Sequence, residues 1–72
     1  MMNLSANAMS AIVKGCEMMG WDFYTSNDME RICAGLYWIN EYIENIKNYT
    51  NTRKAWEKVE RELEKAYSFY SL

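Results

Sequence analysis

Apolar residues in this chain return at alternating intervals of three and four over three separate stretches, the spacing that lines one face of an α-helix. In the first stretch Leu4, Ala8, Ala11, Ile12, Gly15, Cys16 and Met19 share a face, and Asn7, Ser10, Lys14 and Glu17 form the only polar stripe. Met9, Val13 and Met18 leave the rest of the circumference apolar, which predicts that this helix is the most enclosed of the three. Ala8, Ala11 and Gly15 admit a close neighbour, and Gly20 supplies a residue that turns left-handed without a Cβ penalty.

Trp21-Asp22-Phe23-Tyr24 is too aromatic for a solvated loop, so it is expected to fold back over the core or to meet a partner. A helix start follows. Thr25-Ser26-Asn27-Asp28 fits a capping box, and Asn27-Asp28-Met29-Glu30 offers a second N-cap with Glu at N3. From there Met29, Ile32, Leu36, Ile39, Ile43 and Ile46 make a heptad-like seam. Gly35, Trp38, Tyr42 and Tyr49 lie about 60 to 100° round the same helix, an aromatic surface beside the aliphatic one. Asn48 to Thr52 collects residues that compete for helical hydrogen bonds, which predicts a break there, with Asn51 or Thr52 capping a third helix. Trp56, Val59, Leu63, Ala66 and Tyr70 form that helix's seam, out of phase with the second. The competing reading is one long helix with a stutter.

The expected fold is therefore all-α: a single domain over residues 1–72, a small up-down-up three-helix bundle with a long central helix. Residues Ser68 to Leu72 keep an apolar character, which predicts a docked C-terminus. A chain of 72 residues buries only roughly 60% of the surface that its unfolded form exposes, so stability needs help from packing or association.

Composition narrows the chemistry. With two cysteines and no histidine, the chain lacks the ligands of a structural zinc site, so no metal and no cofactor is expected. Cys16 and Cys33 read as small core residues, with a redox-sensitive disulfide between the first two helices as the sharper alternative. Met1 to Gly20 lacks a basic leader and no stretch approaches a membrane span, so the expectation is a soluble cytoplasmic protein with free thiols and no membrane partner. The sequons at Asn3 and Asn48 are then chance matches. Without histidine a general base would have to be a tuned carboxylate or lysine. The glutamates read as solvated, including the Glu41 and Glu44 pair, so no catalytic residue is assigned and no enzyme is expected.

Two surfaces remain as candidates for function. Three Trp, six Tyr and two Phe are more rings than a bundle of this length encloses, roughly five or six, and Trp, Tyr and Met are enriched where proteins meet. Trp21, Phe23, Tyr24, Trp38, Tyr42, Tyr49 and Phe69 are the rings worst placed for a core and the candidate protein interface; partial burial in an aromatic-rich bundle is the plainer account of them. Methionines 9, 18, 19 and 29 read as gap-fillers that also offer an adaptable apolar surface. Lys54, Lys58, Arg61 and Lys65 form a basic stripe, joined by Arg53 at the helix start, that would suit nucleic acid or an acidic partner. A solvated face balanced by Glu57, Glu60 and Glu64, with pairs such as Glu57 and Arg61, is the plainer account, since the net charge is −2. The expected function is stoichiometric protein binding, with a homodimer through the second helix as its simplest form and a small nucleic-acid-binding regulator as the rival. Small size and a residue usage that fits AT-rich coding suggest a phage or mobile-element inhibitor of a host machine, such as a CRISPR defence system.

Overall fold

The structure, a computed structural model, describes residues 3–72 and contains three helices: α1 (Ala6–Met19), α2 (Asp28–Asn45) and α3 (Thr50–Tyr70). Local chemistry sets most of their ends. The Ser5 hydroxyl accepts the Ala8 N–H and starts α1. At its other end Gly20 sits at φ 73°, its N–H donating to the Glu17 carbonyl and that of Trp21 to Cys16, so a left-handed glycine closes the helix. At the start of α2 the Asn27 side chain accepts the Glu30 N–H at 2.8 Å, and the Glu30 carboxylate accepts the Asn27 N–H at 2.8 Å. This capping box selects the second of the two caps that the sequence offered.

The chain breaks between α2 and α3, so the single-helix alternative does not hold. Its cap differs from expectation. Tyr49 is the N-cap of α3 and makes no side-chain capping bond, while Asn51 and Thr52 fall inside the first turn. The turn is held from elsewhere: the Tyr49 N–H reaches the Ile46 carbonyl at 2.8 Å, and the Arg53 guanidinium Nη1 donates to the Lys47 carbonyl at 2.6 Å. A basic side chain satisfying a carbonyl in the turn does the tying that a polar cap would otherwise do.

Sequence order along the contacts gives the topology. Gly15 meets Ala34 and Ile12 meets Gly35, so α1 and α2 run in opposite directions. Gly35 meets Leu63, and Trp38 and Tyr42 meet Trp56, so α2 and α3 are also opposed. The result is the up-down-up bundle, with α2 between its neighbours in the chain. α2 has 18 residues and α3 has 21, so the C-terminal helix is the longest. α1 and α3 are tied where the Ser5 N–H and hydroxyl both donate to the Glu62 carboxylate, each at 2.7 Å.

The fully buried core is small and aliphatic. Ile12, Ile32, Ile39, Leu63 and Cys16 are its largest members, filled out by Ala8, Ala11, Ala34 and Ala66. On α2 the buried residues are Ile32, Ala34, Gly35 and Ile39, and the other seam residues Met29, Leu36, Ile43 and Ile46 are only half covered. α1 buries the largest share of its length, as expected of the most enclosed helix, although Val13, Met18 and Met19 are exposed. The expected docking of the C-terminus is corrected for most of the segment, because Phe69 is 58% exposed and Leu72 wholly so, and only Tyr70 is half-buried.

Candidate functional site

None of the eleven rings is fully buried. Trp38, Tyr42 and Trp56 form one cluster between α2 and α3: Trp38 stacks on Tyr42 at 4.8 Å, and the two meet Trp56 edge-on at 5.6 and 5.3 Å. The Lys14 ammonium lies 5.3 Å from the Trp38 ring centre. Trp38 and Tyr42, placed by the sequence on a binding face, are thus half-buried and hold helices together. Tyr49 is exposed in the α2–α3 turn and Phe69 on the last turns of α3, and neither makes a ring contact with that cluster.

The corner between α1 and α2 is different. Within seven residues it exposes Met18, Met19, Trp21 and Tyr24, the last at 85%. Phe23 turns inward and packs against the core, with Tyr24 against its edge at 5.3 Å. Arg31 fixes the segment to α2: its Nε donates to the Phe23 carbonyl at 2.9 Å, its guanidinium covers the Phe23 ring at 4.3 Å, and its Nη1 stands 3.7 Å from Asp28. Asp22 braces the turn as well, accepting the Tyr24 N–H on its carboxylate and the Ser26 hydroxyl on its carbonyl. One ring of the aromatic segment therefore folds back over the core, as expected, and two face out. Met18 and Met19 are exposed, while Met9 and Met29 are half-buried. Sequence spacing passed over Tyr37, 50% exposed, and Tyr67, 43% exposed; each lies off its helix's seam, which was the available signal.

On α3 the basic residues separate into two groups. Arg53 belongs to the turn: besides its bond to Lys47, its buried Nε lies 3.9 Å from Glu57 and has no hydrogen-bond partner. Lys54, Lys58, Arg61 and Lys65 are all exposed, and none makes a hydrogen bond or ion pair among the described residues. The balance expected between Glu57 and Arg61 is absent, because Glu57 pairs with Arg53, one turn back. Two other glutamates depart from the solvated picture. Glu62 holds Ser5, and Glu60 is half-buried, its carboxyl pushed above the ordinary value by burial first, then by Glu64 and Glu57, with Arg61 opposing.

Reactive chemistry is sparse. Cys16 and Cys33 are free thiols; Cys16 is buried, and burial raises its pKa, which keeps it protonated and a poor nucleophile. A recess of about 370 Å³ on α2 is lined by Asn40, Glu41, Glu44 and Asn45. Among the described residues no group of three acidic or cysteine side chains could hold a metal, and no helix is long and apolar enough to cross a membrane. The fold and its surfaces define a small helical bundle whose distinctive features lie on its outside. No known protein family, curated protein or solved structure matches the chain.

Proposed function

We propose that this protein acts by stoichiometric binding to another protein, with the α1–α2 corner as its contact. The observation that carries this reading is the corner's construction: Met18, Met19, Trp21 and Tyr24 face out from a turn that Gly20, Asp22 and Arg31 hold in place. Large rings on a braced backbone lose little freedom on docking, which is the property of an interface anchor. Methionine beside them adapts to the shape that it meets. Titratable groups offer no comparable constellation, so binding rather than turnover is the activity proposed.

Affinity capture from the organism that encodes the chain, followed by mass spectrometry, tests the reading when the wild type is run beside a Trp21→Ser, Tyr24→Ser variant. Both substituted rings are exposed, so circular dichroism should show an unchanged fold. A protein retained by the wild type and lost by the variant is the expected result, with each anchor contributing about 2 kcal/mol, roughly 30-fold in affinity. Identical capture by both would refute the corner as the contact. Light scattering on the purified chain separates a second copy from a foreign partner.

A further inference from the structure

Lys54, Lys58, Arg61 and Lys65 fall within about 60° of arc on α3 and extend over about 17 Å of its axis. No acidic residue interrupts the row: Glu57 is drawn to Arg53, Glu62 to Ser5, and Glu60 lies on the flank toward the core. Glu64 borders the row on that same flank, and Arg61 reaches Glu60 only through its field. One turn beyond Lys65 the exposed Phe69 continues the row. We propose that this ridge is a second binding surface, separate from the α1–α2 corner, and that it takes the phosphodiester backbone of a nucleic acid without reading its sequence.

The argument for phosphate over an acidic protein is energetic. The ridge has no apolar centre, and solvent-exposed ion pairs with carboxylates contribute roughly 0 to 1 kcal/mol each. A protein interface needs a desolvated anchor that the four cations do not supply. Against a polyphosphate the same cations release condensed counterions, which makes a bare row effective without burial. A ring at the end of the row gives a single-stranded base a face on which to stack. The net charge of −2 opposes approach, so the affinity belongs to the non-specific range, about 1 to 100 µM at physiological salt.

Fluorescence anisotropy with a labelled mixed-sequence oligonucleotide, as single strand and as duplex, measures the affinity across a salt series. Four neutralised phosphates give a log–log slope of about −2.8 for the single strand and about −3.6 for the duplex. The variant Lys58→Gln with Arg61→Gln removes two contacts, so it should halve the slope. At 0.1 M salt it should lower affinity about 25-fold for the single strand and about 60-fold for the duplex. Both residues are exposed, and circular dichroism confirms the fold of the variant. Lys47→Gln, a cation off the ridge, should bind as the wild type does. The proposal fails if neither oligonucleotide binds at low salt, if the double variant binds like the wild type, or if Lys47→Gln weakens binding equally. Binding of poly-glutamate in place of both oligonucleotides would overturn it in favour of an acidic protein.

Discussion

Glu60 is the side chain at which charge and burial conflict. Burial raises its carboxyl above the unfolded value, and the like charges of Glu64 and Glu57 add to the rise. A group whose pKa is higher in the folded state stabilises the fold while it is protonated, and that contribution is lost as pH climbs through the folded value. Ionised Glu60 therefore works against folding at neutral pH. Glu60→Gln should raise stability there by up to about 0.5 kcal/mol, a modest effect because solvent screens a half-exposed group. The gain should vanish as pH falls below the carboxylate range, and urea melts at neutral and acid pH would show it. A gain that is independent of pH would implicate something other than charge. The glutamates illustrate what residue type alone hides. Helical spacing put Glu57, Glu60 and Glu62 on polar flanks, yet one pairs with Arg53, one is half-buried and one holds Ser5. A flank position becomes a contact only when a neighbouring helix arrives beside it.

Between elements, close approach is decided by two glycines. A Cβ on Gly15 would run into the Ala34 carbonyl, which is backbone and cannot move aside cheaply. At Gly35 the nearest obstacle is the Ile12 side chain, 2.9 Å from the added atom. Alanine in place of glycine favours the helix by about 1 kcal/mol in itself, but overpacking costs about 1 to 3 kcal/mol or more. Gly15→Ala should therefore destabilise the bundle by about 2 kcal/mol, and Gly35→Ala by less, because a side chain can give way. Thermal melts of the two variants check the order, and equal losses would contradict the described approach of α1 to α2. The sequence marked Gly15 as a place of close approach because it lies with Ala8 and Ala11. It placed the α2 contact on the aliphatic seam, and Ile32 and Ile39 of that seam are fully buried, but the closest approach of α1 falls beside it, at Ala34 and Gly35. A helix with apolar residues on two adjacent faces does not by itself declare which one receives its neighbour.

At the scale of the whole molecule, the first helix is joined to the last through Ser5 and Glu62. Two charge-assisted bonds of 2.7 Å, at the N-terminal end of α1 where a carboxylate is favoured, close the bundle at that point. Glu62→Ala should cost about 1 kcal/mol in a urea melt, and Ser5→Ala in addition should cost less than the sum of the two singles. Full additivity would show that the two side chains act independently. The number of helices, the left-handed glycine at the end of α1, the capping box at Asn27 and the break before α3 were all legible along the chain, because each follows from residues within a turn of one another. So was the surplus of rings, since composition and length bound how much a small core can hold. Which rings lie outside was decided only by tertiary packing: Trp38 and Tyr42 found Trp56 on another helix, while Arg31 pinned Phe23 inward and left Trp21 and Tyr24 to solvent. Helical spacing fixes the angle at which a side chain leaves its own axis. What stands in its way there is set by another part of the chain, and no local pattern encodes it.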